Sequence, residues 1–533
     1  MLQDIRRAAQ LANTAASPAR LRILRLPAGS LGRGRLLALA SRRRPDELIL
    51  VIEQASAANA HQLRWSAIAG LGAHRSALTS QSTQQHGIVA ALDVAPTLLE
   101  YLRLPVPASM RGKPIHPDGA LDGAALRSLK ARLEVVYPRR LPALAYLLAT
   151  WALLIAATAF AAATARRASR RRTAAPPRRA PVRQAVVRWA VRTGALAMLW
   201  APVAVLLPAS LEPKPALEYA LIVAACFSLA TISDRLLPWP RAVIAPAAAA
   251  LLAIPLDALL GSQLLIRSLL GPNPAYGARF YGIGNELKSG LAVLVFAAVA
   301  AALYPATRSR KTAATMACTG ALLAMIEGAA RIGAGVGGVI LVCAGTAVAT
   351  VLLLPGPLRR VRILPALAAP LVGLLLLAII DLATAHGVGH FTGSVLDARS
   401  VSDLQDLMVR RYEAAWRELG NGVMPMVTAL ALLGATAGIR YRERLLEPVR
   451  SDPAWLAAFA GGLTAGVVGA LCEDSGPVLL VVAVFALACV VAYLGAAPPC
   501  EGSAPSPATA RRRPISRTIK TTTITTIRIP PAM

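Results

Sequence analysis

The run LPALAYLLATWALLIAATAFAAATA, Leu141–Ala165, carries no charged residue. It leads directly into RRASRRRTAAPPRRAPVRQAVVRWAVR, Arg166–Arg192, which carries ten Arg and no acid. The first string is long and apolar enough to cross a bilayer core. The second has the charge expected of a loop retained on the cytoplasmic side. Read outward from this couplet, apolar runs recur at about 193–209, 216–233, 241–260, 286–304, 312–328, 335–355, 364–382, 421–438, 455–472 and 477–495. With 141–165 they predict a mainly α protein, a polytopic helix bundle of about eleven spans. If Arg166–Arg192 is inside, the other inside segments are Asp234–Arg241, Arg308–Lys311, Arg359–Arg362, Arg440–Arg450 and the tail with Arg511–Arg513, all basic. The alternate loops, around 210–215, 261–285, 329–334, 383–420 and 473–476, are mixed or acidic. This alternation places the N-terminal segment outside the cytoplasm and the C-terminus inside.

Composition agrees. The 533 residues are 56% hydrophobic and only 16% charged, where a soluble chain carries about 25% charge. An ordinary soluble enzyme and a disordered chain are both excluded. The net charge of +30 would suggest nucleic acid in a soluble protein. Here the basic residues sit in clusters between apolar runs, so membrane lipid is the expected partner and nucleic acid is not. The six Cys form no C-x-x-C pair, so neither a zinc site nor a disulfide framework is expected. The predicted organisation is an extracytoplasmic segment over 1–140, a first span over 141–165, a basic cytoplasmic loop over 166–192, a ten-span domain over 193–495 and a disordered cytoplasmic tail over 496–533.

Polar, glycine-rich segments gather on the non-cytoplasmic side of this topology. They are Phe280-Tyr-Gly-Ile-Gly-Asn285-Glu286, Glu327-Gly-Ala-Ala-Arg331 with Gly333–Gly338, His386–Asp397, and Glu473-Asp474-Ser475-Gly476. Ionisable residues near spans mark function when they cluster. Arg279 and Arg331 are candidates to meet a phosphate, with Asn285 and Ser475 as polar partners. Glu286, Glu327, Glu473 and Asp474 are candidates to hold a cation or a proton. Each has a plainer reading. Asn285 and Glu286 begin a helix, Glu327 and Arg331 neutralise each other at i,i+4, the glycines let helices approach, and Glu473–Ser475 is a solvated tip. His386 and His390 also share i,i+4 spacing, but two Gly lie between them, so no metal site is expected; no cofactor is legible. Asp397–Glu418 is expected to form an amphipathic surface helix.

Within the N-terminal segment, Asp46–Ile52 predicts a short strand, and His86–Leu102 predicts a strand entering a helix capped by Asp93. The run Gly87-Ile-Val…Asp93-Val-Ala-Pro-Thr-Leu-Leu, then Leu-Pro-Val-Pro and Met110-Arg-Gly-Lys-Pro-Ile115, resembles the C-terminal end of the alkaline phosphatase superfamily, over about residues 46–118. The resemblance implies a partial α/β segment, the end of a domain around a central sheet. Its Ser or Thr nucleophile would lie upstream of residue 1. Where the family carries a metal-binding Asp-His, this chain reads Ile52-Glu53-Gln54-Ala55, so the segment alone is not expected to be catalytic. His86 reads as a surface residue rather than a late metal ligand. The Gly-Ile-Gly-Asn-Glu and Glu-Asp-Ser-Gly segments look similar to uncharacterised bacterial membrane proteins that carry such an ectodomain.

The reading that leads is an envelope membrane protein binding or modifying a phosphate-bearing lipid or glycolipid at the outer face. The alternatives are a transporter or permease, and a scaffold without chemistry.

Overall fold

The computed structural model describes residues 5, 10, 21–54, 62–72, 75–107, 110, 112–172, 180–276, 280–330, 332–333, 335–357, 360–384, 409, 412–413, 415–420 and 422–498. The chain is mainly helical, 70% helix against 5% strand, which places it in the α class. Arg279, Arg331, the His386–Asp397 segment, most of the expected surface helix and the tail lie outside the described residues.

The N-terminal part begins with α1 (Gly29–Ser41) and two strand pairs. β1 (Ile49–Ile52) runs antiparallel to β2 (Ser66–Ala69), and β3 (Ser76–Ser80) runs antiparallel to β4 (Ile115–Ala120). Among the described residues these form two separate two-stranded sheets, not one central sheet. Asp46–Ile52 does supply a strand. The strand expected before the helix at 94 is instead a turn followed by a short 3₁₀ segment, Ala91–Asp93, leading into α2 (Val94–Tyr101).

Asp93 corrects a second expectation. It makes no side-chain cap on α2. Its buried carboxylate accepts from Ser80 Oγ at 2.6 Å, from the Ala90 amide at 3.0 Å and from the Lys113 amide at 3.0 Å. Three donors from three segments outbid the two amides of the first helical turn, so the aspartate ties β3 to the loop before β4. His86 is exposed and pairs with Asp118 at 2.9 Å.

The rest of the chain is helices: α3 (Gly123–Arg172), α4 (Ala180–Ala204), α5 (Leu206–Leu211), α6 (Pro215–Leu236), α7 (Ile244–Leu259), α8 (Asn285–Leu303), α9 (Arg310–Gly328), α10 (Val336–Leu353), α11 (Arg360–Thr384), α12 (Met424–Arg440), α13 (Arg442–Leu445), α14 (Pro453–Cys472) and α15 (Pro477–Gly495). Helix α3 passes without a break through 140 and 141. Nine helical segments among the described residues are long and apolar enough to cross a membrane. The two other expected spans are helical but fall short of that standard. Helix α9 carries Arg310, Lys311, Glu327 and three Thr, and α12 has only 17 residues.

Helix α8 is the core of the bundle, buried along most of its length. Beside it, α10 and α14 approach backbone to backbone. A Cβ on Gly345 would sit 2.6 Å from the Gly461 carbonyl oxygen, and one on Gly461 would sit 2.7 Å from that of Gly345. Small residues permit this contact, as they do between helices packed in lipid. At the periphery, α11 turns Leu364, Leu367, Leu371 and Leu375 outward, with exposures of 68%, 71%, 70% and 62%. A stripe of leucines at helical spacing facing outward needs an apolar surrounding.

Candidate functional site

One end of the bundle holds a cluster of buried charged residues. Helix α9 stops at Gly328, the chain makes a tight loop, and α10 starts at Val336. The loop entering α8 crosses this connection. The Ile283 amide donates to the Ile332 carbonyl at 2.9 Å, and the Gly335 amide donates to the Glu327 carbonyl at 3.1 Å. Gly282, with φ +73°, lies so close to Ile332 that a Cβ there would be 2.2 Å from its carbonyl oxygen. Only glycine fits this crossing.

Three ionisable side chains converge beneath the crossing. Lys288, in the first turns of α8, is completely buried, as is Glu327 at the end of α9; Glu473, just after α14, is 8% exposed. The Lys288 ammonium pairs with the Glu473 carboxylate. Three glycines at the start of α10 each make room for one of these groups. A Cβ at Gly335 would fall 2.4 Å from Lys288 Nζ, one at Gly337 would fall 2.4 Å from Glu473 Cδ, and one at Gly338 would fall 2.5 Å from Glu327 Oε2. The Cβ at Gly338 would also meet Lys288 Cδ at 3.4 Å, so the Glu327 carboxylate and the lysine stem lie over the same glycine. The glycine run therefore receives charged side chains, in addition to letting helices approach.

The rim of the site is polar and more open. Asn285 Nδ2 donates to Asp474 Oδ1 at 2.7 Å and to Ser475 Oγ at 2.8 Å, joining the start of α8 to the turn before α15. Asp474 is exposed and Ser475 half-buried. Glu286 stands in the first turn of α8, where the helix dipole favours an acid. It also pairs with Arg140 of α3, and Arg140 donates a second bond to the Gly271 carbonyl at 2.6 Å.

Helix α3 is bound to the same end by a buried triad. Arg132 and Arg139 each reach one oxygen of the fully buried Glu218, both at 2.6 Å. Arg132 also donates to the Arg267 carbonyl at 2.9 Å, and Arg267 pairs with Glu212 at 2.9 Å. The N-terminal part docks there as well. Ile88 packs with Leu133 and Ile266, and Gln85 donates to the Gly261 carbonyl at 3.1 Å. The charged centre thus lies at the bundle end that this part occupies.

Of the expected residues, Asn285, Asp474 and Ser475 come together at the rim, Glu327 and Glu473 come together in the buried centre, and Glu286 turns to Arg140. Glu473 is buried and ion-paired, so the solvated-tip reading fails for it; Asp474 is exposed and bonded to Asn285. The expected roles of Arg279 and Arg331 fall outside the described residues.

Lys288 was not among the expected site residues, nor were Arg132, Arg139, Arg140 and Glu218. Lys288 had a signal: it is a lysine two residues inside an apolar run, in a chain with only six lysines. The triad had none, because its members are far apart in sequence. No group of three His, Cys, Asp or Glu suited to a metal ion occurs among the described residues.

Compared with family models, with curated proteins and with solved structures, the chain matches none.

Proposed function

We propose that the chain is a polytopic cell-membrane protein of about eleven spans. Its polar end, on the non-cytoplasmic side, binds or modifies the head of a phosphate-bearing lipid or glycolipid. The observation that carries this reading is the depth of the buried Lys288–Glu473–Glu327 centre. Lys288 is the fourth residue of α8, Glu327 is the last but one of α9, and Glu473 directly follows α14. All three sit within about one helical turn, roughly 5 Å, of the helix ends. That is the level of lipid head groups, whereas carrier sites lie near the bilayer midplane.

The N-termini of α8, α10 and α15 are at the same end, and their positive dipole ends favour an anionic head group. Lys288 and Glu473 form a hydrogen-bonded acid–base pair, the arrangement needed to give or take a proton at a bound hydroxyl or phosphate. Asn285, Asp474 and Ser475 supply neutral and acidic partners at the rim. The resemblance of residues 46–118 to the end of a phosphate-handling domain fits a segment docked over such a site.

The test is native mass spectrometry of the full chain, purified in detergent and mixed with a total lipid extract of the expressing cells. Wild type should hold a phosphate-bearing lipid that the double variant Lys288→Met/Glu473→Met holds at least ~10-fold less, a difference of about 1.4 kcal/mol. Removing both charges together avoids stranding either one. Equal retention by both proteins sinks the reading.

A second reading, a proton- or cation-coupled carrier, is favoured by the complete burial of Lys288 and Glu327, since buried ionisable residues line proton paths. It takes precedence if wild type, but not the double variant, dissipates a pH gradient imposed across proteoliposomes.

A further inference from the structure

At the opposite end of the bundle, a cavity of about 400 Å³ opens between α9, α10 and α11. That volume lies within the range of small-molecule sites. Its walls are small and apolar, with Ala317, Ala321, Ala347, Ala366 and Ala369 among them, so the space exists because the facing positions lack bulk. Three polar groups also line it: Thr346, Thr350 and Arg362.

Among the described residues, the Thr346 and Thr350 hydroxyls and Arg362 Nη1 are buried without a hydrogen-bond partner. The threonines differ here from their neighbours. Thr315 and Thr319 on α9 bond back to carbonyls one turn earlier, at 3.1 and 2.9 Å, the usual fate of a helical threonine in apolar surroundings. Thr346 and Thr350 do not. A buried guanidinium nitrogen and two buried hydroxyls left unmet are costly to keep from water, and a ligand with oxygen acceptors would give them partners.

Charge identifies the ligand. Arg362 is in the first turn of α11, and the start of α9 at the same end carries Arg310 and Lys311. From Leu287 to Ile380 the sequence holds one acid, Glu327, at the far end of α9. Among the described residues, no carboxylate on these three helices pairs with Arg362. A basic pocket between spanning helices at a basic membrane face is the pattern that holds anionic lipid head groups. Free phosphate would satisfy Arg362 and leave the apolar cavity unfilled. A lipid fills both parts.

We infer that the α9–α10–α11 cavity is a binding site for an anionic phospholipid of the leaflet at the basic end. The phosphate meets Arg362, the threonine hydroxyls donate to head-group or ester oxygens, and an acyl chain lies along the alanine walls. This site is separate from the Lys288 centre and does not depend on it.

Native mass spectrometry of the full chain, titrated with dioleoylphosphatidylglycerol or dioleoylphosphatidylcholine, tests the inference. One phosphatidylglycerol should bind at least ~10-fold more tightly than phosphatidylcholine. Arg362→Gln should remove that preference, and Ala366→Leu, which fills the cavity and leaves the arginine in place, should lower affinity for the same lipid. The adduct should persist in Lys288→Met/Glu473→Met, which separates it from any lipid at the other end. Equal binding of the two lipids, or an unchanged preference in both cavity variants, overturns the inference. Displacement of the lipid by millimolar inorganic phosphate also overturns it, by showing a phosphate site and not a lipid site.

Discussion

A methyl group is the sharpest probe of the charged centre. Gly337→Ala and Gly338→Ala each place a carbon about 2.5 Å from a carboxylate that is itself confined. Overpacking of this kind costs about 1–3 kcal/mol, so both variants should melt below wild type in detergent. Gly333→Ala should be worse, because its Cβ would lie 2.0 Å from the Glu327 backbone oxygen, which has no rotamer to change. Gly495, with nothing within 4 Å of its Cβ, is the control and should accept Ala without loss. Equal melting of all four would mean that the glycines do not confine the charges.

Asp122 carries a pH prediction. Its carboxylate caps α3 by accepting the Ala124 and Ala125 amides at 2.8 and 3.0 Å. Those backbone bonds, Ala125 first, lower its pKa below the ordinary 3.8. A depressed carboxylate contributes its stabilisation above the unfolded value, and loses it as the pH falls through the lower folded one. The protection of the Ala124 and Ala125 amides, measured as exchange relative to the intrinsic rate at each pH, should therefore fall below about pH 4, and in Asp122→Ala it should be low throughout. A flat profile in wild type would remove the cap from the account.

Between helices, the decisive contacts are charged in one place and made of bare backbone in another. Glu218 of α6 neutralises Arg132 and Arg139 of α3, and Glu218→Gln leaves two guanidinium groups facing a neutral amide. Breaking a buried pair in this way costs about 3–5 kcal/mol. Limited proteolysis should then release the region before α3 at protease levels wild type resists. Arg132→Met together with Glu218→Met should recover part of the loss. The α10–α14 contact depends on mutual absence of side chains, so Gly345→Val should separate those helices; unaltered melting of that variant would show the contact to be slack.

Helix placement was legible because charge-free runs of about 20 residues have few alternatives. Each expected span meets a helix, although α9 and α12 miss the length or hydropathy of the other nine. Lys288 was hidden for the same reason the helix was visible: a single charge at the edge of an apolar run looks like the end of the span. Asp93 was misread because local spacing suggests a helix cap, whereas its partners Ser80 and Lys113 come from a strand and a loop distant in sequence. The sheet was misjudged because strands of four to six residues do not reveal in sequence whom they pair with.

For the molecule as a whole, the proposed orientation makes a prediction independent of any ligand. Asp474, at the polar end, and Arg308, at the basic end, are both exposed. In a chain with its native cysteines replaced, Asp474→Cys should react with a membrane-impermeant maleimide on intact cells. Arg308→Cys should react only after lysis. The reverse pattern would invert the topology and move the proposed head-group site to the cytoplasmic face.

Helix α3 has a mechanical consequence. Its 50 residues make a rod about 75 Å long, with Pro138 and Pro142 in the half nearer its N-terminus. Each proline removes one rung of the internal bonding, so the rod is stiff toward both ends and compliant between. Arg139 and Arg140 sit in that compliant stretch, gripping Glu218 and Glu286, and Glu286 is two residues from Lys288. A push on the N-terminal segment therefore has a lever, a flexure and a linkage ready to deliver it to the first turn of α8.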